Sequence, residues 1–209
     1  MIIFVTGIGT EVGKTICSAI LVEALKADYW KPVQAGELDN TDSKKVGDLI
    51  TNNSSKIHPE TYRLNTPASP HYAAEVDGLK IELSDFVLPS TQNHLLIEGA
   101  GGLMVPLSQN HLVVDLIKQL GCGVIVVSKH YLGSINHTLL SIEALKSWGI
   151  PILGLLFNGE QNNATESIIE KMSGVRALGR VNWTDTPDKT FVKQEAENLI
   201  TVLRSQLKL

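Results

Sequence analysis

Cysteine, aromatic rings, paired histidines and clustered positive charge are all scarce in this 209-residue chain, and each scarcity removes a class of protein. Only Cys17 and Cys122 are present, the first within a helical pattern and the second in a Gly-Cys-Gly turn. Two cysteines so far apart allow one bridge at most, and a reduced, cytoplasmic protein is the expectation. Lysine and arginine number 18 against 22 aspartates and glutamates, a formal charge of −4 with no basic run, so no nucleic-acid partner is expected. No apolar stretch approaches the roughly 18 residues of a membrane span, so no membrane partner is expected either. The opening residues show no basic stretch followed by a long apolar region, which argues against a secretory signal. The six histidines have no ligand spacing such as His-Glu-x-x-His, so metal or triad roles are not expected of them.

The chain does carry a glycine-rich turn in a telling place. Met1 to Thr6 is an apolar, β-branched run; Gly7-Ile8-Gly9-Thr10-Glu11-Val12-Gly13-Lys14-Thr15 follows, and a helical pattern runs from Ile16 to Lys26. Strand, glycine turn, Gly-Lys-Thr and helix, in that order, build a phosphate cradle. Glycines let backbone N–H groups converge on phosphate oxygens, and the helix directs its positive end at them. Lys14 reaches the terminal phosphates in such a loop, and the Thr15 hydroxyl ligates magnesium. The spacing is unusual: five residues separate Gly7 from Gly13, and three separate Gly9 from Gly13, where the common pattern has four.

Further along, Asp28–Val33 reads as a short strand limited by Pro32, Gln34–Thr41 as a polar loop and Asp42–Ile50 as a weak helix. The stretch 51–70 reads as a long surface excursion, with short helices after it at Pro70–Glu75 and Leu83–Leu88. Strands then alternate with helices: His94–Glu98, helix Val113–Leu120, Gly123–Ser128, helix Ser134–Trp148, Ile152–Phe157, helix Thr165–Met172, Arg176–Gly179 and helix Val192–Leu207. Continuous apolar strands of this kind are covered on both faces. The expectation is an α/β fold, a doubly wound, mostly parallel sheet of the phosphate-loop NTPase type, forming one domain over residues 1–209. Ligands of such sheets lie beyond the carboxyl ends of the strands, where Lys31, Glu98, Ser128-Lys129 and Asn158 fall.

Each of those residues has a plain reading beside the functional one. Glu98 is a magnesium ligand or a turn acid facing water; a carboxylate directly after Leu95-Leu96-Ile97 is costly without a partner. Asp42 suits a helix N-cap equally well. Lys31 is a solvated strand-end lysine, or a fixed ammonium that stabilises a transferring phosphoryl group. Glu11, a carboxylate inside an anion cradle, should turn away from phosphate, towards a cationic substrate group or the helix N-terminus. Gly99-Ala100-Gly101-Gly102 is a tight turn or a close approach of backbone to ligand, and Asn158 a base contact or a turn residue.

Taken together, the loop 7–15, Lys31-Pro32-Val33, Ser69-Pro70-His71, Glu98-Gly99-Ala100-Gly101-Gly102, Gly133-Ser134-Ile135-Asn136-His137 and Asn158 resemble the dethiobiotin synthetase family, in the family's order and over most of the chain. That resemblance implies an ATP-dependent ligase of biotin biosynthesis, acting as a homodimer with the substrate site at the interface. Its substrates are 7,8-diaminononanoate, CO2 or bicarbonate, and ATP. One amine becomes a carbamate, ATP phosphorylates it, and the second amine closes the ureido ring as phosphate leaves. By position it assigns magnesium to Thr15, Asp42 and Glu98, and catalysis to Lys31, Lys14 and Thr10. It assigns nucleotide contacts to Glu11, Val12, Gly13, Lys14, Thr15, Ile16, Asp42, Glu98, Gly99, Ala100, Gly101 and Asn158, with Asn182, Trp183 and Thr184 at the base. Substrate contacts fall to Ala35, Pro70, Gly133, Ser134, Ile135 and Asn136, the last four reaching from the partner subunit.

The alternative is a switch-type ATPase of the partitioning and division-site class. Such proteins usually carry a lysine right after the loop's first glycine, where this chain has Ile8, and end in a basic amphipathic helix, where it offers only Arg204 and Lys208. Three departures from the ligase family stand out: Ala35 in place of a common hydroxyl residue, Ile8 in place of threonine, and Asn182 in place of proline. Restoring the hydroxyl with Ala35→Ser is expected to tighten diamine binding, read as a lower KM; equal affinity in the two proteins would show that position 35 makes no such contact.

Overall fold

The structure, a computed structural model, describes residues 1–208. The strands are β1 (Ile2–Gly7), β2 (Asp28–Trp30), β3 (Val33–Ala35), β4 (Ile57–His58), β5 (Tyr62–Leu64), β6 (Leu95–Glu98), β7 (Gly123–Lys129), β8 (Ile152–Asn158) and β9 (Ala177–Val181). The α-helices are α1 (Lys14–Leu25), α2 (Asp42–Leu49), α3 (Pro70–Val76), α4 (Val113–Leu120), α5 (Ser134–Ser147), α6 (Asn163–Ser173) and α7 (Lys189–Leu207). Seven strands form one sheet in the order β4-β2-β6-β1-β7-β8-β9, with every neighbouring pair parallel. The expected single-domain, doubly wound architecture is what the chain adopts.

Alternation along the strands sends successive side chains to opposite faces of the sheet. Phe4, Trp30, Leu95, Ile97, Val124 and Val126 pack on one side with residues of α3 to α6. Ile3, Val5, Tyr29, Leu96, Ile125 and Val127 pack on the other with α1, α2 and α7. Both faces are therefore dry, which is why these strands read as unbroken apolar runs. Helix α1 is buried along most of its length, from Cys17 to Val22, and both cysteines are free and buried.

The sequence reading departs from the structure mainly between residues 28 and 88. The expected strand 28–33 is two strands, because Pro32 has no N–H for a ladder; its carbonyl accepts instead from the backbone N–H groups of Thr61 and Tyr62. Beyond it, β3 starts at Val33 and runs on through Gln34 and Ala35, expected to be loop, and pairs with β5 in a separate two-stranded sheet. The excursion 51–70 holds both β4 and β5, too short to show any periodicity. Only one 3-10 turn, Leu83–Asp85, forms where a helix to Leu88 was expected, since Pro89 disfavours helical backbone just before it. The cap of α2 is Thr41, whose hydroxyl accepts from the Lys44 N–H at 3.1 Å, which frees Asp42 from that role.

β1 is central, with β6 on one side and β7 on the other, so the strand order reverses around it and a crevice opens beyond its carboxyl end. The opposite end of the sheet is fastened by Asp28. Its buried carboxylate meets the Lys56 N–H (2.9 Å), the Asn93 amide (2.8 Å) and the His58 imidazole (3.0 Å). Burial alone would raise its pKa; the donors outweigh burial and hold it at about 2. A carboxyl acidified on folding contributes stability above its unfolded pKa of about 3.9, and loses it as pH falls towards the folded value. The stability gap between wild type and Asp28→Asn, from urea unfolding, should thus shrink by roughly 2 kcal/mol between pH 5 and pH 2. A gap independent of pH would contradict this account.

Candidate functional site

The turn after β1 is shaped by contacts that only glycine permits. Gly13, at φ 88°, caps α1, and a Cβ there would lie 2.1 Å from the Asn158 amide nitrogen. That amide donates to the Val12 carbonyl at 2.9 Å, so the end of β8 braces the loop. Lys14 folds back, its Nζ donating to the Gly9 carbonyl at 2.9 Å. Burial, only partly offset by Glu98, lowers the Lys14 pKa.

Beneath the loop lies a network of charged and polar groups around Glu98, which is 1% exposed. The Thr15 hydroxyl donates to Glu98 Oε1 at 3.0 Å, and the Tyr29 phenol donates to Oε2 at 2.9 Å. Lys31 Nζ donates to Asp42 Oδ2 at 2.6 Å and to Glu98 Oε1 at 3.1 Å, with the Gly99 carbonyl at 3.5 Å. Burial works to lower the Lys31 pKa, but the carboxylates of Glu98 and Asp42 prevail and raise it. Burial likewise works to raise that of Asp42, and Lys31 overrides it, leaving the carboxyl below its usual range. Burial first, then Glu98, pushes the Tyr29 phenol well above its ordinary value, so it remains a proton donor. Gly99 is required just after Glu98, because a Cβ would lie 2.7 Å from the Phe4 ring.

A cavity of about 650 Å³ opens over this network. It brings together Thr10, Glu11, Gly13, Lys14, Thr15, Ile16, Lys31, Ala35, Asp42, Pro70, Glu98, Ala100 and Gly101, all expected site residues. Glu11, at φ 57°, is exposed and lines this cavity. Val12 and Gly99 sit behind it and contribute carbonyls to Asn158 and Lys31. Of the residues expected at the base, Asn158 and Trp183 line a second cavity of about 430 Å³, with Lys129 and His130. Lys129 Nζ lies 5.0 Å from the centre of the Trp183 ring. Asn182 takes another course, its side-chain amide and backbone N–H both donating to the buried Glu195 of α7 at 2.9 Å. Thr184 lies beside it, its hydroxyl accepting from the Thr186 N–H at 3.3 Å. Gly133, Ser134, Ile135 and Asn136 line a third cavity of about 800 Å³, separate from the first, beside the exposed side chains of Tyr131 and Leu132.

Sequence reasoning passed over Tyr29, Gln34 and Lys45. Tyr29 was within reach of it: two residues before Lys31, it projects to the same face of the extended chain, and both meet Glu98. Lys45, at i+3 from Asp42 on α2, lies 2.7 Å from Glu37 and 3.9 Å from Asp42 at the mouth of the main cavity. Removing one donor to a buried carboxylate should be felt in stability. Tyr29→Phe is expected to cost about 1.5–3 kcal/mol of unfolding free energy in urea titrations, and a loss under about 0.5 kcal/mol would remove the phenol from the network.

The arrangement can grip a phosphate chain and hold a hard cation between oxygen donors, beside two fixed ammonium groups. Comparison with known proteins supports the use of ATP. A family model described as an AAA domain matches residues 2–189. The ATP-dependent dethiobiotin synthetase BioD of Christiangramia forsetii is 54% identical over 194 residues, covering 93% of each chain. The enzyme of the same name from Cytophaga hutchinsonii is 48% identical, covering 91% of each. Among solved structures, the MinD septum site-determining protein of Pyrococcus horikoshii, complexed with Mg-ADP, superposes with a TM-score of 0.53 at 15% identity, covering 100% of this chain and 99% of that one. The MinC:MinD complex of Aquifex aeolicus gives 0.54 at 11% identity, with coverage of 100% and 96%. Likeness at such low identity speaks for the fold alone.

Proposed function

The chain belongs to the dethiobiotin synthetase family of ATP-dependent ligases, and from that premise we propose that it converts 7,8-diaminononanoate, CO2 and ATP into dethiobiotin, ADP and phosphate. The observation that carries the reading is the convergence, in one cavity, of a phosphate loop, two buried lysines and a pair of carboxylates at the ends of separate elements.

The proposed roles follow from position. Backbone N–H groups at the start of α1 and the Lys14 ammonium receive the phosphates. Thr15 Oγ1 donates to Glu98, and Asp42 and Glu98 both accept from the Lys31 ammonium; these three neighbouring groups are hard oxygen donors, a set that fits magnesium. When bound, magnesium neutralises charge on the phosphate oxygens. One amine of the diamine adds to CO2 and releases a proton, giving a carbamate. A carbamate oxygen then attacks the terminal phosphorus of ATP and ADP departs. The second amine attacks the activated carbonyl carbon, and phosphate leaves with closure of the five-membered ring. Lys31, with Thr10 and Lys14 lining the same cavity, stabilises charge on the carbamate and the phosphoryl group in flight. Ring closure is favoured because the attacking amine is already tethered. Substrate thus binds over Ala35 and Pro70, while the nucleotide base lies between Asn158 and Trp183.

In the same reading the active species is a homodimer in the cytoplasm. Gly133 to Asn136, at the start of α5, would receive the carboxylate of substrate bound to the partner, where a helix N-terminus supplies N–H donors. Support comes from their distance from the chain's own main cavity, which they do not line, and from the exposed Leu132, Ile135 and Leu140 nearby in the sequence.

ADP release from magnesium-ATP, with and without diamine and bicarbonate, tests the proposal. Release is expected to depend on both; release indifferent to the diamine would favour a switch-type ATPase. Lys31→Gln should lower diamine-dependent turnover by about 100-fold or more in a protein that still folds, and near-normal turnover would exclude Lys31 from the mechanism.

A further inference from the structure

Gln34 is buried to 6% exposure, and both of its side-chain hydrogen bonds reach beyond its own strand. Its Nε2 donates to the Gly36 carbonyl at 3.0 Å, and its Oε1 accepts from the Asp42 backbone N–H at 3.1 Å. One carboxamide therefore spans the loop between β3 and α2, joining its first residue, Gly36, to the first residue of α2, Asp42. The Asp42 N–H belongs to the first turn of α2, where intrahelical acceptors are lacking. The loop so closed is a constrained one: Gly36 and Glu37 both have positive φ, 71° and 53°, and a Cβ on Gly36 would lie 2.6 Å from Pro67. Asp42 is thus held at two points, its backbone by Gln34 and its carboxylate by Lys31.

We propose that Gln34 is a positioning residue for the metal site: through the Asp42 N–H it fixes the direction in which the Asp42 carboxylate faces the phosphate loop. The inference rests on the magnesium–nucleotide site proposed above. A buried carboxamide stripped of its partners costs free energy, so this one is set by both contacts and has little freedom to do anything else. Two strand residues after Lys31-Pro32, it also ties the orientation of Asp42 to the strand that follows the lysine.

Equilibrium binding of a fluorescent ADP analogue, titrated with magnesium, provides the test. Gln34→Met keeps the length of the side chain and loses both hydrogen bonds. It is expected to raise the magnesium concentration for half-maximal binding by about 10-fold, with metal-free nucleotide affinity close to wild type. Gln34→Glu retains the acceptor for Asp42 and should stay within about 3-fold of wild type, well short of the loss expected of an outer-shell partner. An unchanged requirement in Gln34→Met overturns the positioning role. So does an equal loss of metal-free binding, which marks general damage to the loop. Should Gln34→Met fail to fold, Gln34→Glu decides alone, and a 10-fold shift in it refutes the acceptor's part. The underlying reading fails differently: the wild-type chain itself would then bind the analogue without regard to magnesium.

Discussion

The site depends on one carboxylate that cannot be solvated. Glu98 ends β6 inside the sheet, and water is replaced there by a hydroxyl from α1, a phenol from β2 and an ammonium from the chain just beyond β2. An isolated ionised carboxylate in such a place would cost several kcal/mol or neutralise itself. Its partners come from α1 and from the end of β2, both far from β6 in sequence, so satisfying it fixes the relative positions of the phosphate loop, Lys31 and β6 together. Asp42 adds a further element, α2, through the same ammonium. Stabilising the fold and assembling the site are, in this respect, one interaction.

The parallel sheet makes such convergence possible. All seven strands of the main sheet point their carboxyl ends the same way, so residues at the ends of β1, β2, β6 and β8 meet along one rim. Both faces are consumed by packing, which leaves the rim as the place where polar groups can gather. The brace between Asn158 and the Val12 carbonyl shows how closely this is drawn, since only a glycine fits at position 13 beside it.

Much of this was legible before the structure. β1, the loop, α1 and the later strands are long and strongly patterned, and burial on both faces writes itself as continuous Val, Ile and Leu. Lys31, Glu98 and Asn158 stood out because they fall at the carboxyl ends of strands, where ligands of such sheets lie, and Glu98 also because a carboxylate ending an apolar strand needs a partner. The region from Pro32 to Pro70 resisted reading because its strands of two or three residues carry no period, and because β3 pairs with a strand on the far side of a surface excursion. Asp42 was ambiguous for a local reason: Thr41 beside it is as good a cap, and only tertiary contact with Lys31 decides between them. Asn182 and Gln34 illustrate the remaining limit, for their partners are Glu195 and the Asp42 backbone, which no spacing announces.

The strand order has a consequence for synthesis. β1 leaves the ribosome well before its neighbours in the sheet, β6 and β7, whose residues begin at Leu95 and Gly123. β2 is likewise separated from it by β6. Until β6 is made, then, β1 has no edge to join, and the strand that leads into the glycine-rich turn must wait as an unpaired apolar ribbon. Its shelter during that interval has to come from α1 folding back over it or from a chaperone, because long-range parallel pairing cannot form before the later strands exist.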